Sequence, residues 1–156
     1  MRVWGTIMIA GISHMTFLVQ DLERASLFWE KLFGAKEVYA SGDNIYSISK
    51  EKFYVLNGLW ICIMEGEPLP ERSYNHIAFQ IKDSDYEYYL AKIRDLGLDI
   101  KPGRSRISGE GHSIYFYDYD NHLFELHTGN LKDRLKIYMQ PPEDRHNKKL
   151  IMGKKP

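Results

Sequence analysis

A chain of 156 residues with 44% hydrophobic and 27% charged side chains has the make-up of an ordinary globular protein, long enough to bury a core without disulfide staples. Its 21 basic and 21 acidic residues cancel, which removes the net field that would draw nucleic acid or an anionic membrane surface. The lone cysteine excludes a disulfide framework, and no uninterrupted apolar stretch approaches the roughly 20 residues of a membrane span, so a soluble, cytoplasmic protein is expected.

Met1 to Met8 has too short an apolar region for a secretory signal; it reads as an appendage to the first strand, with Met1 and Met8 both candidate starts. His14-Met15-Thr16-Phe17-Leu18-Val19-Gln20-Asp21 then opens an internal echo, because His76-Ile77-Ala78-Phe79-Gln80-Ile81-Lys82-Asp83 repeats its pattern with the same interval between His and Asp. Each copy predicts a strand followed by a helix, with Asp21 and Asp83 placed to cap the helix through their carboxylates. Leu22, Ala25, Phe28, Trp29, Leu32 and Phe33 form the apolar stripe of the first helix, which stops at Gly34. Tyr86, Tyr89, Leu90, Ile93 and Leu96 form that of the second, which stops at Gly97.

Three strand-like runs follow each helix. They are expected around Glu37 to Tyr39, Asn44 to Ser49 and Phe53 to Met64, then around Leu98 to Ile100, Ser113 to Tyr117 and Leu123 to His127. Asn57-Gly58 and Asp118-Tyr119-Asp120-Asn121 supply turn chemistry. The predicted fold is α+β, a βαβββ unit made twice, with modules at about 8–65 and 72–128 inside a domain of residues 1–138. Two such curved sheets enclose a cleft for inward-facing residues. Residues 139–156 read as a tail without assigned function.

His14 and His76 occupy equivalent early positions in the two first strands, so the duplication is expected to bring both imidazoles to the cleft. Glu125 lies inside the apolar strand Leu123-Phe124-Glu125-Leu126-His127, where a carboxylate needs compensation. A divalent cation held by two histidines and a carboxylate satisfies that need, and residue types leave Mn, Fe, Co, Ni and Zn open. Glu125 has a rival reading as a cross-strand partner of Lys101 or Arg106. His127, two residues on and therefore on the same face, is the rival third ligand. His112, His122 and His146 read as solvated, and Cys62, in Trp60-Ile61-Cys62-Ile63-Met64, as a small buried hydrophobe.

Gly11-Ile12-Ser13-His14, Asn75-His76-Ile77-Ala78-Phe79 and above all the run from Ser113 through Asp118-Tyr119-Asp120-Asn121 to His127 resemble the vicinal oxygen chelate superfamily. Within it they are similar to the manganese-dependent fosfomycin epoxide hydrolases of FosX type, and the resemblance runs from about Met8 to Tyr138. It implies a homodimer that exchanges modules between subunits, and metal ligands at His14, His76 and Glu125. The implied reaction is addition of water to the fosfomycin oxirane at C1, with Mn2+ as cofactor and the small antibiotic as the partner. The resemblance places the general base on Glu51, which the pattern Lys50-Glu51-Lys52 would alone mark as a solvated charge run. It places Thr16 beside the oxirane, Tyr74, Ser113, Tyr115 and Arg134 on the phosphonate with Arg106 or Arg104 closing that pocket, and Trp60 against the hydrocarbon.

The chain departs from the resemblance at His112, where arginine is expected, and Ser108-Gly109-Glu110-Gly111 carries no expectation of a monovalent cation. Two other functions compete on the same fold. A fosfomycin thiol transferase would not rely on Glu51, because a thiolate brings its own nucleophilicity. A non-catalytic antibiotic-binding protein would lack the metal triad, and glyoxalase or ring-cleaving dioxygenase chemistry would alter the ligand set.

Overall fold

The computed structural model describes residues 8–141; the expectations for the first residues, for His146 and for most of the tail lie outside them. The chain divides into two compact units, Met1–Pro68 and Leu69–Pro156. Each carries a four-stranded mixed sheet of the same topology, so the duplicated βαβββ architecture and its α+β class are observed.

In the first unit β1 (His14–Val19) leads into α1 (Leu22–Leu27), which continues as a π-helical turn over Phe28–Leu32. Asp21 caps α1, accepting hydrogen bonds from Glu23 N at 2.9 Å and Arg24 N at 3.0 Å. Then follow β2 (Lys36–Ala40), β3 (Glu51–Leu56) and β4 (Leu59–Glu65), giving the order β1-β4-β3-β2 with β1 parallel to β4. The expected strand at Asn44 to Ser49 is absent: the segment bends, leaving Ile45, Tyr46 and Ile48 exposed with no neighbouring strand to pair with. The run from Phe53 to Met64 is instead two strands of a hairpin. Asn57 and Gly58 both take positive φ, the geometry a two-residue turn between twisted strands requires.

One face of this sheet is the core. Phe17 and Val19 of β1, Tyr54 of β3 and Ile61 and Ile63 of β4 are buried with Ala25, Phe28, Trp29 and Leu32 from the helix. The Phe17 and Trp29 rings lie 5.4 Å apart, and Tyr54 OH lies 2.6 Å from Ser26 Oγ and 3.0 Å from Glu37 Oε2, in hydrogen-bonding contact with both. Alternation then sends His14, Thr16, Glu51, Phe53, Trp60 and Cys62 to the other face.

The second unit repeats the plan with β5 (His76–Gln80), α2 (Tyr86–Asp95), β6 (Asp99–Lys101), β7 (Ser113–Tyr117) and β8 (Leu123–His127), and adds α3 (Leu131–Tyr138). Sheet order is β5-β8-β7-β6. Phe79, Ile114, Phe116, Phe124 and Leu126 form one face, with Phe124 stacked between Phe79 and Phe116 at centroid distances of 6.4 and 6.1 Å. The echo fails at Asp83. A 3-10 turn over Asp83–Asp85 precedes α2, and no side chain caps either element: the cap positions fall on Lys82 and Asp85, and the Asp83 carboxylate is engaged by His112 Nδ1 at 2.9 Å. Among the described residues no helix is long and apolar enough to cross a membrane.

Candidate active site

On the open face of the second sheet, parallel pairing sets His76 opposite Leu123 and Ala78 opposite Glu125. His76 and Glu125 are therefore diagonal neighbours, and His76 Nε2 lies 3.0 Å from Glu125 Oε2. His76 Nδ1 is 2.7 Å from the Tyr74 carbonyl, which can only accept, so Nδ1 carries a proton and Nε2 faces the carboxylate. Either a proton on Nε2 or a cation bound by both atoms bridges such a pair. Ligand bonds of roughly 2.1 Å meeting at right angles put their donors about 3 Å apart, so the pair fits two adjacent positions around a divalent metal.

Glu125 is 5% exposed and is held from its other side. Oε1 accepts from Ser113 Oγ and from Arg106 Nη2 at 3.1 Å, so the partnership with Arg106 exists together with the His76 contact, made from a loop rather than across strands. Burial pushes the carboxyl pKa up, but the hydroxyl donors of Ser113 and Tyr115 and the charges of His127 and His76 outweigh it and leave it lowered. Arg106 Nη2 also reaches Tyr115 OH at 3.2 Å, while its Nη1 is buried with no partner among the described residues. Tyr74 OH donates to Tyr115 OH at 3.3 Å, and burial, then Tyr74, push the Tyr115 pKa up.

His127 shares the face of Glu125 but both of its nitrogens are engaged. Nδ1 meets Ser113 Oγ at 2.7 Å and the His112 carbonyl at 3.1 Å, and Nε2 accepts from Arg134 Nη2 at 3.0 Å. Burial lowers its pKa, with Glu125 opposing and Arg134 and Arg106 adding to the fall. A cleft of about 370 Å3 is lined here by His76, Gln80, Glu125, His127 and Arg134.

In the first unit the open face gathers His14, Thr16, Glu51, Trp60 and Cys62. His14 lies against Trp60 with ring centroids 4.4 Å apart. Glu51 is 8% exposed, which overturns the solvated reading of its charge run, because both flanking lysines turn elsewhere. Lys50 pairs with Asp43 at 2.7 Å, and Lys52 with Glu23 at 2.7 Å and Glu37 at 3.4 Å. Cys62 is buried as expected, but its Sγ lies 3.9 Å from Glu51 Oε2 and it is hydrogen-bonded with Thr16. Burial first and the Glu51 charge second raise the thiol pKa to about 11.

The structure thus brings together His14, Thr16, Glu51 and Trp60 on one sheet, and His76, Glu125, Tyr74, Ser113, Tyr115, Arg106 and Arg134 on the other. Arg104 is committed to Glu110, at 2.8 and 3.1 Å. Within each unit, no group of three His, Cys, Asp or Glu side chains converges as a metal site among the described residues. His122 is not solvated: its Nδ1 is 2.7 Å from Asp118 Oδ2, and it was missed because turn-like sequence hides the burial of a turn packed on a sheet. His112 is exposed but engages Asp83.

The fold and this imidazole and carboxylate face define a glyoxalase-type protein: the family model described as Glyoxalase/Bleomycin resistance protein/Dioxygenase superfamily matches residues 11–126. A fosfomycin resistance protein FosX of Listeria innocua is 60% identical over 131 residues, covering 84% of this chain and 98% of that protein. A mutant FosX of Listeria monocytogenes, crystallised with Mn(II) and 1S,2S-dihydroxypropylphosphonic acid, matches with a TM-score of 0.78 at 54% identity, covering 84% of this chain and 99% of that one. A metallothiol transferase FosB of Bacillus licheniformis is 40% identical over 134 residues, covering 83% of this chain and 82% of that protein. The chain belongs to this superfamily and, within it, to the FosX-type fosfomycin resistance proteins.

Proposed function

We propose that this protein inactivates fosfomycin by adding water to C1 of its oxirane, as a Mn2+-dependent epoxide hydrolase. Glu51 is the observation that carries the reading: a buried carboxylate on the same sheet face as His14 and Thr16, with neither neighbouring lysine paired to it. Water is a weak nucleophile and needs a base near the attacked carbon, whereas a thiolate does not.

Glu51 takes the proton of the attacking water as the new C1–O bond forms and the C1 bond to the oxirane oxygen breaks; that oxygen takes a proton from water, Glu51 gives its own up to solvent, and the product is the vicinal diol. Thr16 stands beside the reacting oxygen and offers its hydroxyl. Arg106 Nη1, which has no partner among the described residues, receives the phosphonate with Arg134, Tyr74, Ser113 and Tyr115, and Trp60 packs against the hydrocarbon. His14, His76 and Glu125 are the metal ligands in this reading, and the bound cation supplies a Lewis acid for the departing oxirane oxygen. His14 lies in the first unit and the other two in the second, and a homodimer completes the set, each site drawing on both chains. Residues 1–138 act as one vicinal oxygen chelate domain of two modules, about 8–65 and 72–128. The lone thiol Cys62 fits action in the reducing cytoplasm.

Phosphorus NMR of the protein with fosfomycin and Mn2+, with and without glutathione, tests the reading. Diol formed without thiol is the expected result. Product only with thiol would make the protein a transferase, and no turnover in either sample would make it a binding protein.

A further inference from the structure

Glu110 is the most deeply buried carboxylate among the described residues, 1% exposed, and it lies outside the chemistry assigned above. Four donors close on it. Arg104 grips it with two nitrogens, Nη2 to Oε1 at 2.8 Å and Nη1 to Oε2 at 3.1 Å. Ile107 N donates to Oε2 at 2.6 Å, and Tyr138 OH donates to Oε1. Two of these partners come from the loop between β6 and β7 and one from the end of α3. The cluster therefore ties the loop to the helix.

Other contacts follow the same seam. Ile137 of α3 packs against Gly109, where an added Cβ would lie 2.9 Å from Ile137 Cδ1. Thr128 N donates to the His112 carbonyl at 3.0 Å, and His112 N donates to Thr128 Oγ1 at 2.9 Å. Each side of the seam carries one arginine that reaches the open sheet face: Arg106 from the loop, at Glu125, and Arg134 from α3, at His127. A guanidinium on a loop without secondary structure has no geometry of its own, and anion affinity depends on presenting such forks already in place.

We propose that Arg104, Glu110 and Tyr138 form a positioning clamp that sets the affinity of the site for a phosphonate dianion by holding the Arg106 loop against the Arg134 helix. The clamp touches no substrate; it acts through the two arginines. The inference rests on the phosphonate reading above, and its test separates the two.

The experiment is calorimetric titration of the full-length protein, in Mn2+ buffer, with methylphosphonate, which has the anionic head and no oxirane. Wild type, Arg104→Met, Glu110→Gln and Tyr138→Phe are compared, with thermal midpoints measured on the same samples. The clamp predicts that Arg104→Met weakens methylphosphonate binding about tenfold and that millimolar methylguanidinium restores it to within about twofold, because the added cation refills the place beside Glu110. Tyr138→Phe, which keeps the ring, is expected to weaken binding about threefold. Unchanged affinity in Arg104→Met, or a loss that methylguanidinium does not restore, would overturn the clamp. A wild type that binds methylphosphonate tightly but forms no diol from fosfomycin would overturn the hydrolase reading and leave the clamp to be judged by these affinities.

Discussion

His76 Nε2 and Glu125 Oε2 lie 3.0 Å apart although the two residues are not register partners, since each reaches diagonally across the parallel β5 and β8 pair. The Tyr74 carbonyl fixes the ring and the Ser113 and Arg106 donors fix the carboxylate, so the two donors stand ready in place. His76→Ala leaves Glu125 its other partners and so is expected to fold. Its Mn2+ affinity should fall by at least the roughly 10- to 100-fold that losing an outer-shell contact to a metal ligand costs. Titration followed by electron paramagnetic resonance measures this directly, and full affinity in the variant would remove His76 from the ligand set.

Glu51→Gln keeps the shape of the side chain and removes its basicity. Hydration is expected to slow by about 10²- to 10⁴-fold, the usual contribution of a positioned base, while methylphosphonate affinity stays close to wild type. The Cys62 thiol gives a second, independent readout. Its pKa of about 11 comes from burial and then from the Glu51 charge, so the variant should titrate lower, toward 9.0, in ultraviolet thiolate absorption. An unmoved thiol pKa would show that the two side chains do not meet in solution.

The repeat was legible because two things are written locally: alternation within β1 and β5, and a helix stop at Gly34 and Gly97, both of which adopt positive φ. What failed depended on partners distant in the chain. Asn44 to Ser49 has strand-like residues, but no neighbouring strand lies alongside it. Asp83 has the residue type of a cap, yet His112, far along the chain, takes its carboxylate. Lys50 and Lys52 disguise Glu51 because nothing local reveals that Asp43, Glu23 and Glu37 engage both. For the same reason the Glu110 cluster was invisible: its partners Arg104 and Tyr138 join only when α3 packs on the loop.

Stability should carry an acid signature from that cluster. The Arg104 guanidinium hydrogen-bonded to Glu110 lowers its carboxyl from 4.5 to about 2 against the opposing effect of burial, helped by Tyr138 and the Ile107 amide. A folded-state pKa below the unfolded value contributes stability that is fully present above about pH 4.5 and disappears as pH falls toward about 2. Glu110→Gln removes this contribution, so its urea midpoint should lie below wild type at pH 7 and the gap should narrow as pH drops through that window. A gap that stays constant with pH would mean that the carboxylate is not preferentially stabilised in the folded protein.

Gly111 sits where the loop passes closest to the backbone that follows β8. Its φ is +80°, and a Cβ there would lie 2.6 Å from Gly129 N and 2.9 Å from Gly129 Cα, both backbone atoms that cannot rotate away. Gly34, with φ of +68° and nothing within 4 Å of its would-be Cβ, supplies the control. Gly34→Ala bears only the left-handed backbone cost of about 1–2 kcal/mol. Gly111→Ala bears the same cost and must also push the two segments apart, so about 1–2 kcal/mol more is expected. For a chain of this size that difference is a thermal midpoint about 2–8 °C lower than that of Gly34→Ala. The displaced loop should also carry Arg106 off the site and weaken methylphosphonate binding in Gly111→Ala alone. Equal midpoints and equal affinities in the two variants would show that the Gly111 and Gly129 backbones do not approach as closely as drawn, and would take the seam between loop and helix with them.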